Sequence, residues 1–240
     1  MLDPVPAMDA TERSQVWAEV LLIDEPQLQR GETLILTVRH GLTELNRDQR
    51  VGGQIDVPLL PEGREQAEVA RQAFDGTVFD VVISSPMERA VETAAIVTGV
   101  PSSEIEIEPL CTERSFGQME GLTRAEVEQR FTQIVYLHIG HIAYSLNPPG
   151  GESFEDLRRR AQRFLEGLMS KHPGERIVVT SHQNFLQQFH GLLLGRDPYD
   201  ALRTDLLNLE LNQFHLGSDR AVRAHRKFQL FPDAQKHASF

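Results

Sequence analysis

Two histidines and two arginines each follow shortly after an apolar run that is rich in β-branched residues. They are Arg39, His40, Arg89 and His182. Arginine presents a planar fork of donors that matches phosphate oxygens, and a neutral imidazole can attack phosphorus to form a phosphoramidate. If one fold brings these side chains together, they predict phosphoryl-transfer chemistry.

The three apolar runs are typical of buried parallel strands. They cover residues 34–38, 79–83 and 176–180, and an amphipathic helix is predicted over 65–74. Strands that alternate with helices predict an α/β fold, a three-layer α/β/α sandwich with a mainly parallel sheet. Ligands bind beyond the carboxyl ends of the strands in such sheets, so we expect the four side chains at one shared edge.

Several polar residues carry the pattern of a helix N-cap. Ser85 precedes Pro86 and Glu88, which suit the first and third positions of a helix. The other predicted helix starts are Thr123, Ser153 and Asp197. A start at Ser85 puts Arg89 on the first turn of its helix, where backbone N–H groups would help to bind an anion.

Two later stretches depart from the alternation of strands and helices. Residues 208–216 and 221–230 are predicted to pair as an antiparallel hairpin that closes one edge of the sheet. Residues 131–149 lead into a break rich in proline and glycine, and we interpret them as an inserted helix or lid. The predicted organisation is an N-terminal extension packed on the domain (1–30), one domain (31–240) and a lid insertion within it (about 122–149).

The charge balance restricts the classes of partner. Lysine plus arginine number 24 and aspartate plus glutamate 35, which gives a net charge of −11. A nucleic acid or an anionic membrane would need a basic surface, so neither is expected as a partner. The single cysteine, Cys111, fits a reducing compartment, and the sequence has neither a signal-peptide pattern nor an apolar run near the ~20 residues that span a bilayer. The expected location is the cytoplasm.

A series of blocks resembles the histidine phosphatase superfamily, which includes cofactor-dependent phosphoglycerate mutases. The first block, residues 38–43 (V-R-H-G-L-T), matches the R-H-G-x-T signature of that superfamily. The other matches are Asn46, 56–59, 63–64, 84–94, 113–121, 150–153 and 181–182. They follow the order of the family from about residue 34 to 195, some two-thirds of the chain.

The resemblance implies a role for each chemistry-bearing residue. His40 would be the nucleophile that becomes phosphohistidine. Arg39, Arg89 and His182 would hold the transferring phosphoryl oxygens. Glu113 would give a proton to the leaving oxygen and would later take one from the attacking water, a contribution of roughly 10²- to 10⁴-fold to the rate.

The resemblance also implies a substrate-binding set, and no metal or cofactor. Asn46 would orient the pocket, and Gly41, Thr43 and Gln183 are expected to line it. Gln183 departs from the family pattern, because glycine usually follows the second histidine; this predicts a narrower pocket or a different backbone angle. Leu45 stands where many members carry tryptophan.

Plainer interpretations of these residues remain open at this point. Arg39 and Arg89 could be surface ion-pair partners of nearby acids, Glu113 a solvated loop carboxylate, and Thr43 a turn residue. Cys111 is expected to be a small core residue. His138 and His141 have H-x-x-H spacing, but the sequence shows no further ligands that would complete a zinc site with them.

The composition of the lid distinguishes the candidate functions. A mutase must hold intermediates with two phosphates and therefore requires extra cations around the lid, but residues 131–149 contain no lysine or arginine. We therefore expect hydrolysis of a small phosphorylated metabolite. The alternatives are a phosphoglycerate mutase-type phosphoryl transferase and a non-catalytic module that binds phosphorylated ligands. The expected partner is the small substrate, and a homodimer is an open alternative.

Overall fold

The computed structural model describes residues 27–140 and 142–228. Its strands are β1 (Thr33–Arg39), β2 (Val81–Ser84), β3 (Glu106–Ile107), β4 (Tyr136–Ile139), β5 (Ile142–Ser145), β6 (Arg176–Ser181), β7 (Leu211–Leu216) and β8 (Val222–Phe228). Its α-helices are α1 (Glu44–Arg47), α2 (Pro61–Arg71), α3 (Glu88–Thr98), α4 (Arg124–Arg130), α5 (Phe154–Lys171) and α6 (Gln183–Leu193). The three predicted apolar runs are thus confirmed as β1, β2 and β6.

Six strands form the main sheet in the order β3-β2-β6-β1-β7-β8. The first four are parallel, and β7 and β8 add an antiparallel edge. Every residue of β1 is buried, which fits a strand covered on both faces. The predicted mainly parallel sheet with an antiparallel C-terminal edge is confirmed.

Helices cover both faces of this sheet. On one face, Phe164 of α5 and Phe185 of α6 pack edge-to-face with ring centroids 5.4 Å apart. On the other face, alanines of α2 and α3 let these helices approach the sheet closely. The result is the predicted three-layer sandwich, with a core on each side of the sheet.

Local helix-start signals are correct at two places. Thr123 and Ser153 each form a capping box, with Glu126 and Asp156 respectively. At Asp197 the prediction is displaced, because the carboxylate accepts from the N–H groups of residues 199 and 200 and a short 3₁₀-helix begins only at Asp200.

The predicted helix start at Ser85 is wrong. Helix α3 begins at Glu88 with Met87 as its N-cap. The Ser85 hydroxyl accepts a long bond from the Met87 N–H (3.3 Å) and shares a 2.8 Å bond with His182 Nε2. A tertiary contact therefore engages the side chain that local sequence assigns to the cap.

The helix alternative for residues 131–149 is wrong, because two paired strands lie there; the role of this insertion as a lid stays a prediction. Strands β4 and β5 pair antiparallel there, separate from the main sheet. The alternation of apolar and polar residues is the period-two signal of a strand, and Tyr144 is its fully buried anchor.

Some predictions lie outside the described residues. Residues 1–26, which hold most of the predicted N-terminal extension, belong to this group, as do His141 and residues 229–240. In the part of the chain that is described, no helix has the length and apolar character to cross a membrane.

Candidate active site

The carboxyl ends of the central strands meet where the sequence predicts. Arg39 is in register with Ser181 of β6, and Ser84 of β2 with Thr180. A cleft of about 520 Å³, partly open to solvent, lies above this edge. Seven predicted site residues line it: Arg39, His40, Thr43, Asn46, Arg89, Glu113 and Gln183.

The imidazole of His40 is fixed in one orientation and one tautomer. Its Nδ1 lies 2.7 Å from the Gly41 carbonyl oxygen, which can only accept, so Nδ1 carries the proton. The Nε2 atom then keeps a free lone pair. Burial, together with the charges of Arg89 and Arg39, holds the pKa of His40 well below its usual value. His40 is therefore a neutral imidazole at physiological pH, the form that can act as a nucleophile.

Arg39 and Arg89 are buried cations whose bonds go to backbone carbonyls. Arg89 donates to Ile55 O (2.7 Å) and Gly53 O (2.9 Å), and Arg39 donates to Leu206 O. Burial lowers the pKa of Arg89 to about 10, so it stays protonated at neutral pH.

Surface ion pairing of these arginines, the plainer alternative, is wrong. Within the described residues neither guanidinium has a carboxylate at ion-pair distance, and Glu92 pairs with Arg64 instead. Two buried positive charges without a paired carboxylate make the cleft a site for an anion.

His182 lies directly beside His40, with ring centroids 5.1 Å apart. It is the N-cap of α6 and is fully buried, and its Nε2 bonds with the Ser85 hydroxyl at 2.8 Å. Its Nδ1 has no hydrogen-bond partner among the described residues. Burial and the charge of Arg89 hold its pKa well below the usual value, so His182 is also neutral.

Glu113 lines the cleft at the start of α6. Its carboxylate accepts from the backbone N–H groups of Arg114 (2.7 Å), Phe185 (3.1 Å) and Asn184 (3.2 Å). Two of these donors belong to the first turn of α6, where a negative charge is favoured. Glu113 is only 7% exposed, so it is not the freely solvated loop carboxylate of the plainer interpretation.

Comparison with known proteins now decides the family. The model of the histidine phosphatase superfamily (branch 1) matches residues 35–227. The chain belongs to this superfamily.

Relatives by sequence include a bifunctional protein and a mutase. A bifunctional protein of Mycobacterium tuberculosis is 31% identical over 195 residues, which are 80% of this chain and 53% of that protein. The chain therefore spans about half the length of this relative. A 2,3-bisphosphoglycerate-dependent phosphoglycerate mutase of Parvibaculum lavamentivorans is 34% identical over 161 residues, covering 64% of this chain and 76% of that one.

Solved structures carry the same fold. The alpha-ribazole phosphatase from Shigella flexneri superposes with a TM-score of 0.69 at 25% identity, and the match covers 79% of this chain and 93% of that one. The chain is thus similar to a phosphatase in structure and to mutases in sequence.

Three of the predicted substrate-binding residues also stabilise the local backbone or packing. Thr43 is the N-cap of α1, and its hydroxyl donates to Asn46 Oδ1 at 2.9 Å within a capping box. A Cβ on Gly41 would lie 3.1 Å from the Gly63 carbonyl oxygen, so tight packing favours glycine there. Both capping side chains still line the cleft.

Gln183 is the first residue of α6 and has ordinary helical backbone. Its side chain, 3% exposed, lines the cleft. A narrower pocket or a different backbone angle than with glycine stays a prediction.

Sequence reasoning missed several residues that build the site. Asn208 Nδ2 donates to the carbonyl oxygens of both His40 (2.8 Å) and Gly41 (3.2 Å). Arg50 lines the cleft and donates to Glu126 and to Gly121 O. No local pattern marks Asn208, because it lies 168 residues from the backbone that it holds.

Proposed function

We propose that this protein hydrolyses the phosphomonoester of a small metabolite through a phosphohistidine on His40. The observation that carries the proposal is the orientation of His40, whose Nδ1–H is bonded to the main chain while Nε2 is left with a lone pair beside two buried arginines. Phosphoryl transfer depends chiefly on positioning and on stabilisation of charge, and the cleft supplies both.

The proposed reaction has two steps. In the first, which requires Glu113 in its protonated form, Nε2 of His40 attacks phosphorus, the bond from phosphorus to the leaving oxygen breaks, and Glu113 gives that oxygen its proton. In the second, water attacks the phosphohistidine, Glu113 takes a proton from the water, and the phosphorus–nitrogen bond breaks to regenerate the imidazole. Arg39, Arg89 and His182 stabilise the equatorial oxygens in both steps.

Hydrolysis is favoured over mutase chemistry by the shortage of free cations for a second phosphate. Besides Arg39 and Arg89 the described cleft lining holds one more arginine, Arg50, which pairs with Glu126, and the insertion over 131–149 carries no lysine or arginine. Leu45, Val51 and Phe116 add apolar surface to the cleft wall, which suits a substrate whose non-phosphate part is partly apolar. A non-catalytic binding module is disfavoured, because both His40 and Glu113 are retained. A homodimer and a cytoplasmic location stay predictions.

The experiment measures turnover and the covalent adduct together. We expect release of phosphate from 4-nitrophenyl phosphate and from small alkyl phosphates, and an acid-labile, base-stable phosphate adduct after rapid quenching. His40→Ala should abolish both, whereas His138→Ala, which changes an exposed histidine of β4, should change neither. Isomerisation of phosphoglycerate with a bisphosphate primer that outpaces hydrolysis would contradict the proposal.

A further inference from the structure

One side chain of α5 makes three hydrogen bonds to the loop that carries Glu113. Arg160 Nη1 donates to the carbonyl oxygens of Leu110 (2.8 Å) and Thr112 (2.6 Å), and Nη2 donates to that of Glu113 (3.1 Å). Gln54 and Ser181 add one bond each, to the carbonyl oxygens of Glu113 (3.0 Å) and Cys111 (2.6 Å). The loop contains only a 3₁₀ turn and no strand pairing of its own, so it depends on these side-chain bonds, most of which come from Arg160.

Glu152 fixes this guanidinium from the other side. Its two carboxylate oxygens accept from Arg160 Nε (2.9 Å) and Nη2 (2.7 Å), the bidentate geometry that is strongest between these groups. The same carboxylate accepts from the backbone N–H of Ser115 at 3.0 Å, two residues beyond Glu113. Arg160 is 12% exposed and Glu152 23%, so water competes weakly for these bonds.

The hydrogen bonds of Arg160 go to the Glu113 loop and to Glu152, and its guanidinium also lies 5.7 Å from the centre of the Phe185 ring on α6. Arg39 and Arg89 are held by other segments, through the carbonyl oxygens of Leu206, Ile55 and Gly53. Loss of Arg160 would therefore displace the carboxylate of Glu113 and leave the phosphate-binding arginines and His40 in place.

We propose that Arg160, oriented by Glu152, is a positioning residue for the proton donor Glu113. This inference rests on the proposed function, since it assumes that Glu113 protonates the leaving oxygen. It predicts an effect that depends on the leaving group. An alkoxide needs a proton as it departs, whereas 4-nitrophenolate leaves without one.

The experiment compares kcat/KM for an alkyl phosphate with that for 4-nitrophenyl phosphate. Arg160→Gln should lower the alkyl rate by roughly tenfold or more and largely spare the aryl rate, because only the alkyl ester uses the acid. Glu152→Gln should shift the ratio in the same direction by less. Arg159→Gln is the matched control, since Arg159 is the exposed neighbour of Arg160 on α5 and pairs with Asp156 instead.

Retained aryl turnover shows that the variant folds. Arg160→Lys is a milder change because it keeps the positive charge, but a single ammonium cannot bond to three carbonyl oxygens and a carboxylate at once. An equal loss on both esters in Arg160→Gln and Arg160→Lys, or no loss on either, would overturn the positioning role. Failure of the wild-type protein to hydrolyse either ester, or hydrolysis that survives His40→Ala, would instead overturn the proposed function.

Discussion

The two walls of the cleft are built in different ways. The wall that holds Arg39, His40, Arg89 and His182 follows the carboxyl ends of β1, β2 and β6, and the pairing of these strands places it. The wall that holds Glu113 is an irregular loop, positioned by the N–H groups of α6 and by side chains of distant residues. We name them the phosphate-binding wall and the proton-donor wall after their proposed roles. Strand pairing places the first, with a long-range contact from Asn208 added, whereas the second has long-range contacts without strand pairing.

The largest expected effect tests the phosphate-binding wall. Arg89→Ala removes a buried positive charge that would stabilise the phosphoryl oxygens of every substrate, so kcat/KM should fall by roughly 10²- to 10³-fold for alkyl and aryl esters alike. Steady-state kinetics on both esters measures this. Arg64→Gln, on the surface beside Glu92, serves as the control. If aryl esters were spared, the contrast between the two walls would be lost.

A somewhat smaller and selective effect is expected on the other wall. Glu113→Gln keeps the size of the side chain and removes the acid, so turnover of alkyl phosphates should fall by about 10²-fold or more, with a small change for 4-nitrophenyl phosphate. A plot of rate against the pKa of the leaving group should become steeper in the variant. The same slope in variant and wild type would mean that another group delivers the proton.

The smallest effect concerns stability beneath the phosphate-binding wall. His190 of α6 bonds to Thr37 of β1 at 2.8 Å, and burial lowers the pKa of His190 to about 3. The unfolded chain binds a proton there below about pH 6.5, so the free energy of unfolding should decrease as the pH falls from 6.5 toward 3, by up to about 1.4 kcal/mol per pH unit from this residue.

Urea unfolding at several pH values checks this dependence. His190→Gln should make the acid-side slope shallower, whatever it does to stability at pH 7, and exposed His138→Gln should leave the slope as in the wild type. An unchanged slope in His190→Gln would show that this histidine does not carry the linkage.

The contrast between the walls also explains what sequence can predict. The apolar runs and the residues just after them are local signals, and parallel pairing then brings Arg39, His40 and His182 to one edge without further information. The capping boxes at Thr123 and Ser153 are equally local. The sheet, its antiparallel edge and the phosphate-binding wall can therefore be predicted from the amino-acid sequence alone.

The missed features all depend on contacts between distant positions. Ser85 is diverted from a helix cap by His182, which lies 97 residues away. Arg160 reaches the Glu113 loop over 47 residues, and Asn208 reaches His40 over 168. Such contacts leave no pattern in a short window of sequence. The pairing of β4 with β5 is a different kind of error, since the period-two alternation of a strand is present there and the helix alternative overlooks it.

The bond from His40 Nδ1 to the Gly41 carbonyl would also set the regiochemistry of the proposed covalent intermediate. An imidazole has two nitrogens that can carry a phosphoryl group, and the two products are distinct isomers. Because Nδ1 keeps its proton and its bond to the main chain, phosphorylation at His40 yields the tele isomer, on Nε2. The pros isomer would require the ring to turn over inside a closely packed site.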